Sequence, residues 1–559
     1  MKQFISRRSF MKAAGAATAL TAVSFAAPAA SAEETNCFLG DKSAVTILYT
    51  NDVHTYIDKK SPELTYAAIA ALKKSYEDAG QNVLLVDAGD HIQGTAYGSM
   101  DDGETIIKLM NEAGYDLATP GNHEFDYGMA RAKAVMKEAD FPYISCNWVD
   151  LRTGLKVLPT IKMFTIGGAR IAFVGVTTPE TFTKSTPAYF MNASQTKYIY
   201  DILGGDDGQK LYNAVQKAID KAKFLGATYI IGLGHLGVDP SSSPWTSEEV
   251  IAHTTGFDAF IDGHSHTVME NKQVADASGK AVTLTQTGSY FKNVGKMTIG
   301  ADGAITTELI DTYEGVDAAV AATAAEWISA VDDMLGEEIA VGDSKFYIND
   351  PATGKRRIRS GETNLGDFVA DGIYAYFNEI EELHCDIAIM NGGGIRTDVD
   401  AGKWTFKTCK QVSPFGNVAC LMSVTGKQIQ DALEFGARFV GPEGKENGGF
   451  LHVAGATYEI HTDIPNTVLT DDKNVWMGSA TGTPRVQNVR IYNKKTGTYE
   501  PLDLNRTYAL AGMNYTLRNL GDGFAMFDGA ELIKDYVSED YLVMSTYAMI
   551  FDAVNDVPV

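Results

Sequence analysis

Five short runs rich in β-branched and aromatic residues, AVTILYT, NVLLVDAG, RIAFVGVT, TYIIGLG and DAFIDG, recur between residues 44 and 263. Side chains of this kind fit a pleated, packed surface, so each run reads as a strand. Two stretches between them, LTYAAIAALKKSYEDAG and KLYNAVQKAIDKAKFLG, carry apolar residues at helical spacing and close on a glycine. Glycine adopts at little cost the left-handed conformation that ends a helix. Strand and helix in alternation specify an α/β architecture. In such sheets the loops at the carboxyl ends of the strands converge on one crevice, so the residues following each run are where chemistry is expected.

The 559 residues are too many for one hydrophobic core, and two or more domains are expected. GVDAAVAATAAEWISAVDDMLGEEI (315–339) reads as a helical connector. A second domain starts near Val341, with its own helix (NLGDFVADGIYAYFNEI), strand (CDIAIM) and glycine-rich loop (NGGGIR).

The N-terminus is an export signal. SRRSFMK (6–12) is a twin-arginine pattern followed by the Ala-rich stretch AAGAATALTAVSFAAPAASA, with cleavage expected after Ala32. That stretch is only weakly hydrophobic, and no other run is long and apolar enough to span a bilayer. The chain is expected to leave the cytoplasm through the Tat export machinery, for the periplasm, the cell surface or the medium. A formal net charge of −24 with no basic stripe argues against nucleic-acid polymers as partners. A small anionic substrate would need cations concentrated at its site. The cysteines Cys37, Cys146, Cys385, Cys409 and Cys420 show no CxxC spacing and form no zinc ribbon. A Cys409–Cys420 bridge across a turn is compatible with an oxidising compartment.

Seven of the ten histidines (54, 91, 123, 235, 253, 264, 266) lie between residues 51 and 266, most of them directly after a strand. ILYTNDVH ends in Asp52 and His54, which share a side if the strand persists. LLVDAGDH offers Asp87, Asp90 and His91; GLGHLG offers His235; FIDGHSHT offers His264 and His266. PGNHEFDYG sets Asn122 beside His123, with Asp126 three residues on. In an extended segment those neighbours point opposite ways, so one serves a metal and the other is free for something else. A single histidine in a loop is usually an ordinary hydrogen-bonded residue, but five strand-terminal clusters in one domain point together to a metal site. Asp, Asn and His without Cys suit Zn²⁺, Mn²⁺ or Fe²⁺. Six or seven ligands exceed one tetrahedral shell, so two divalent ions sharing a bridging carboxylate are expected. Such a pair activates water for in-line displacement at phosphorus. There is no GxxxxGK[ST] loop, no GxGxxG fingerprint, and GHSHT lacks the second glycine of a nucleophile elbow.

These motifs resemble those of the calcineurin-like metallophosphoesterases, and with the second domain included the chain is similar to the 5′-nucleotidase and UDP-sugar hydrolase family. TNDVH, DAGDHIQGT, GNHEFDYG, GHLG and GHSH occur in family order. TNLGDFVADGI, NGGGIRTDVDAG, PFGN, GGFLHVAG and NLGDGFAMF follow in the second half. The resemblance implies a four-layer α/β/β/α metallophosphoesterase domain (42–312) after a signal peptide (1–32). A connector helix (313–340) would then lead to an α+β 5′-nucleotidase C-terminal domain (341–559) that binds substrate.

The resemblance also distributes roles. Asp52, His54 and His266 would bind the first metal, where some relatives carry an amide at the last position. Asp90 would bridge, and Asn122, His235 and His264 would complete the second site. His123 would face the substrate phosphate with Asp126 orienting its imidazole; Asp87 is left as structural. Arg359 and Arg396 would hold the phosphate with Asn391 beside it, Phe415 and Tyr515 would sandwich the base, and Asp522 would take the ribose hydroxyls. The chain departs from the family pattern by one extra residue between Tyr515 and GDGF, and by Tyr where Phe is commoner. Rotation of the domains about a hinge near 336–350 is implied. The expected activity is release of phosphate from nucleoside 5′-monophosphates by a metal-activated water. UDP-sugar or 2′,3′-cyclic-nucleotide hydrolysis is the alternative within the same chemistry, and a non-catalytic nucleotide-binding or adhesin protein the alternative outside it. Monomer and homodimer are both open.

Overall fold

Val45–Thr50 is buried along its whole length because it is flanked on both sides, by Asn82–Asp87 in parallel and Val294–Ile299 in antiparallel. Leu117–Ala118 and Ile305–Ile310 extend these into a five-stranded sheet. A second sheet of six strands has Ala169–Thr177, Tyr229–His235, Ala259–Ile261 and Ala281–Thr287 as parallel neighbours. Val268–Ala275 and Ile161–Ile166 form its antiparallel edges. The structure is a computed structural model describing residues 43–551 apart from 195, 382, 442–444, 479, 480 and 536. The expected signal peptide and Cys37 lie outside the described residues.

The two sheets pack face to face through Ile47, Tyr49, Val86, Phe173, Ile231 and Ile261, all fully buried. Each such side chain stabilises the fold by roughly 1.5–3 kcal/mol relative to exposure. The outer face of the first sheet is covered by helices Tyr66–Asp78, Glu104–Ala113 and Ala318–Leu335, with Ile69, Leu109 and Val331 in one cluster. Gln209–Phe224 and Ser247–Ala252 cover the second through Leu211, Val215, Ile219 and Val250. The layers run α/β/β/α, as expected.

The second half is built on another five-stranded sheet, in the order Leu451–Ala454, Ile387–Asn391, Thr507–Met513, Ala419–Thr425, Glu531–Lys534. Helices Asn364–Ala375, Phe406–Val412 and Asp540–Phe551 cover one face. Gly426–Gly436 and the three strands Ala456–Ile460, Val486–Asn493 and Thr498–Pro501 cover the other. The helix Ala318–Leu335 is capped by Asp317, which accepts the N–H groups of Ala319 and Val320. It lies on the first half, where its Trp327 Nε1 donates to Tyr97 O at 2.8 Å.

The Cys409–Cys420 bridge does not form. Cys409 packs with the helices on one face of the second sheet and Cys420 with the cluster on the other, so the sheet separates them. Cys146, Cys385, Cys409 and Cys420 are all free and buried. Burial pushes each thiol up to about 12.

Candidate active site

Asp52, His54, Asp90, His264 and His266 all adopt positive φ, between 49° and 78°. Left-handed backbone is uncommon outside glycine, and Asp and His are among the residues that tolerate it best. Asp52 and His54 therefore do not converge by strand alternation as expected: Val45–Thr50 ends two residues before Asp52. His264 and His266 likewise follow a strand that stops at Ile261. Tight left-handed turns at the carboxyl ends of the strands point all five side chains inward. Glycines make room for them, since a Cβ at Gly121 would sit 2.3 Å from Asp90 Oδ1 and one at Gly263 2.9 Å from Asp52 Oδ2.

Three groups of candidate ligands result: Asp52, His54 and His266; His54, Asp90 and His123; and Asp90, His235 and His264. His54 turns Nδ1 to Gln93 O at 2.8 Å and His235 turns Nδ1 to Ala88 O at 2.7 Å. Both carbonyls accept an N–H, which turns each Nε2 inward as the candidate ligand atom. His54 Nε2 then faces His266 Nε2 at 3.0 Å, and His235 Nε2 lies 3.0 Å from Asp90 Oδ2. Asn122 Oδ1 is buried with no hydrogen-bond partner among the described residues. Buried polar atoms are rarely left unpaired, and this donor set fits divalent cations.

The electrostatics suit the same occupant. Burial disfavours a charged Asp52, but His266 and His235 hold its carboxyl down at about 2. Asp90 is held well below the usual range by His235 and His123 against the same penalty. Burial lowers the pKa of both His54 and His266. His235 differs: Asp90 and Asp52 outweigh burial and raise it to about 10, so a metal binding there must displace a proton.

Asn122 and His123 are separated by a different geometry from the one expected. Residues 123–125 form a single 3-10 turn and Asn122 is itself helical (φ −78°, ψ −30°), so the two side chains diverge around a turn and not across a strand. His123 N–H donates to Asp90 Oδ1 at 2.8 Å, and its ring Nδ1 meets Asp126 Oδ2 at 2.5 Å. Burial lowers the imidazole pKa, but Asp126 and Asp90 raise it more. Nε2 is left facing the cavity side.

Two of the seven clustered histidines stand apart. His91 is fully buried between Asp87 and Tyr143, at 2.8 and 2.7 Å. Asp87 also accepts from Thr50 and Gly89, in keeping with a structural part. His253 stacks on Tyr212 at 4.3 Å near the surface.

Sequence reasoning misses Glu180, yet its Oε2 accepts from His264 Nε2 at 2.8 Å and from the Ser242 hydroxyl at 2.6 Å. The signal was present: RIAFVGVT is a core strand whose following loop, TPET, is left without a part. Glu124 is also missed, and its carboxylate accepts the N–H groups of Asp90, His91 and Gly121.

One cavity gathers Asp90, Asn122, His123, Asp126, His264 and His266 from the first half with Arg359, Asn391, Arg396, Phe415, Tyr515 and Asp522 from the second. Asp52, His54 and His235 are buried beneath it. Phe415 lies 5.9 Å from His123 and 5.6 Å from the Arg396 guanidinium. Tyr515 donates its hydroxyl to Thr183 O at 2.8 Å and accepts from Asp522 N–H at 3.0 Å. Asp522 in turn accepts from Asn391 Nδ2 at 2.9 Å. Leu520 and Asp522, on the loop after Tyr515, both adopt left-handed backbone.

Arg356, a third arginine in the cavity wall, is missed as well, although KRRIRS is a basic run in an acidic chain. Its nearest carboxylate is Glu446 at 3.3 Å, which also lies 3.9 Å from Arg359. Arg359 keeps an unpaired Nε among the described residues. Burial, then Arg356 and Arg396, pull it down to about 9. Arg356 and Arg359, which share Glu446, form with Arg396 a cradle for an oxyanion.

Residues 45–268 match the calcineurin-like phosphoesterase family and residues 340–529 the 5′-nucleotidase C-terminal domain. The chain belongs to the 5′-nucleotidase family of calcineurin-like phosphoesterases. It is 28% identical to rat 5′-nucleotidase over 553 residues, covering 90% of this chain and 87% of that one. It is 28% identical over 547 residues to the Bacillus subtilis trifunctional nucleotide phosphoesterase protein YfkN, covering 90% of this chain and 33% of that longer protein. The solved 5′-nucleotidase precursor from Thermus thermophilus superposes with a TM-score of 0.74 at 26% identity, over 91% of this chain and 96% of that one. Residues 5–24 match the twin-arginine translocation signal, which marks this nucleotidase-family protein for export. Among the described residues no helix is long and apolar enough to cross a membrane. Family and fold together make it a metal-dependent phosphoester hydrolase.

Proposed function

We propose that this protein releases phosphate from nucleoside 5′-monophosphates, in the periplasm or at the cell surface, with two divalent ions. The observation that carries the reading is one cavity in which metal-ligand groups, the His123–Asp126 pair and three arginines meet an aromatic pocket. Asp52, His54 and His266 would hold one ion, Asn122, His235 and His264 the other, with Asp90 between them. The donors suit Zn²⁺, Mn²⁺ or Fe²⁺. Bound ions supply Lewis acidity and a nucleophilic water at neutral pH.

The chain's own residues do the rest. Arg356, Arg359 and Arg396 grip the phosphate, with Asn391 beside it. Phe415 and Tyr515 bracket the base, and Asp522 takes the ribose hydroxyls. His123 presents Nε2 to the phosphoryl group. As an imidazolium it offsets charge on the 5′ oxygen, or protonates it, as the P–O bond breaks. Asp126 holds that ring and favours its charge. Because the arginines and the metal groups belong to different domains, substrate enters and product leaves by rotation about a hinge near 336–350.

The test is phosphate release by the purified mature protein from AMP, UDP-glucose, 2′,3′-cyclic AMP and a thiosulfate ester, with and without chelator. AMP should be the preferred substrate, with activity lost to chelator and restored by Zn²⁺ or Mn²⁺. No phosphate from any nucleotide after metal loading would sink the reading.

A further inference from the structure

The second domain reaches the first through a short hairpin, in which Leu469–Thr470 pairs with Trp476–Gly478. Its tip is self-supporting, since the Asp471 carboxylate accepts the N–H groups of Lys473 and Val475 at 2.9 Å. Lys473 leaves the hairpin and enters a box on the other domain. Its Nζ lies 2.8 Å from Asp201 Oδ1, 4.2 Å from the Phe182 ring centre and 5.5 Å from that of Tyr198. Lys473 and Asp201 each keep only 15% of their side-chain surface exposed. Beside it Lys210 meets Asp472 at 3.3 Å. An exposed ion pair contributes little, but an ammonium enclosed by two aromatic faces and a carboxylate is held by cation–π attraction as well as charge.

Both ends of this contact lead to the active site. Behind the tip, Asn474 is left-handed (φ 63°), and its carbonyl would lie 2.5 Å from a Cβ at Gly523, the neighbour of Asp522. On the first domain, Phe182 belongs to the turn Thr181–Lys184. The residue before that turn, Glu180, holds His264, and within it Thr183 O accepts from Tyr515.

We propose that Lys473 is a positioning residue: seated in the Phe182–Tyr198–Asp201 box, it holds the nucleoside pocket in reacting register over the metal-site histidines. The proposal rests on the nucleotide reading given above.

The test compares mature wild type with Lys473→Ala, Lys473→Arg and Asp201→Asn. Lys473→Ala and Asp201→Asn should each lower kcat/KM for AMP about tenfold, the size of one enclosed cationic contact. Hydrolysis of p-nitrophenyl phosphate, which uses the arginines of that domain but has no nucleoside to place, should fall several-fold less than AMP hydrolysis. Lys473→Arg should recover most of the AMP activity, because a guanidinium also stacks and pairs. Small-angle X-ray scattering should give a larger radius of gyration for Lys473→Ala than for wild type or Lys473→Arg. An alanine variant that keeps its AMP activity, loses both substrates equally, or scatters like wild type overturns the proposal. Should wild type hydrolyse p-nitrophenyl phosphate but no nucleotide, the nucleotide reading has failed, and scattering alone decides for or against the seat.

Discussion

Glu180 holds His264 by its Nε2–H at 2.8 Å, leaving Nδ1 of that imidazole to the group it forms with Asp90 and His235. Burial works against the Glu180 charge, but Lys184 and His264 keep the carboxyl at about 2, so the acceptor stays ionised. Carboxylates in this position fix the tautomer of a metal-binding histidine and raise its basicity. Glu180→Ala should weaken metal binding at the proposed Asn122–His235–His264 site by roughly 10–100-fold. Metal content after dialysis against a graded chelator would measure this, and equal loss from both sites would contradict it.

The Asp126 carboxylate does two things for His123: it orients the ring and keeps it protonated to higher pH. Asp126→Asn removes the larger charged contribution to that raised pKa, so His123 loses its proton at lower pH. The alkaline limb of kcat should move to lower pH, and kcat at neutral pH should fall by about 10²-fold or more. A pH–rate profile of variant against wild type decides it; an unmoved limb would remove His123 as the titrating group.

Arg359 is largely enclosed, with 20% of its side chain exposed, and under-compensated; its pKa is drawn down to about 9 by burial and two neighbouring guanidinium groups. It is therefore a cost to the ligand-free fold and a gain only when an anion binds. Arg359→Met should raise the Tm of the ligand-free protein while weakening phosphate or nucleotide binding by roughly 10–100-fold, the value of one or two charged hydrogen bonds. Thermal melts with and without phosphate test both halves. A lower ligand-free Tm would contradict the account.

Much of this was legible in the chain. The strands ending at Thr50, Asp87, His235 and Ile261 are buried, so they read as apolar runs, and the residues that follow them form the site. The left-handed turns at Asp52, His54, His264 and His266 were not legible, because strand alternation predicts the same convergence for a different reason. Asn122 and His123 likewise diverge through a 3-10 turn and not through an extended segment. Glu180, Arg356 and Lys473 escaped notice because each acquires its meaning from a partner distant in sequence: His264, Arg359 with Glu446, and Asp201 with Phe182. Spacing along a chain carries no trace of such juxtapositions unless the partner's loop is already known.

Asp540 provides a test of the second domain's own energetics. It is 3% exposed, and burial raises its carboxyl to about 7 despite the pull of Lys410. A raised carboxyl pKa means the native state holds the proton more tightly than the unfolded chain, whose value is about 4. The stability this provides is full below about pH 4 and lost as pH rises through about 7. Asp540→Asn should flatten Tm against pH across that window. A slope unchanged from wild type would place the titration elsewhere.

The central claim is that two adjacent residues divide their work, Asn122 to a metal and His123 to the phosphate. Metal content and AMP turnover, measured together on Asn122→Ala and His123→Ala, test it most directly. Asn122→Ala should lose about one of two equivalents of metal along with activity. His123→Ala should keep both and lose about 10²–10⁴-fold in kcat. Loss of metal from His123→Ala, or full metal content in Asn122→Ala, would contradict the account.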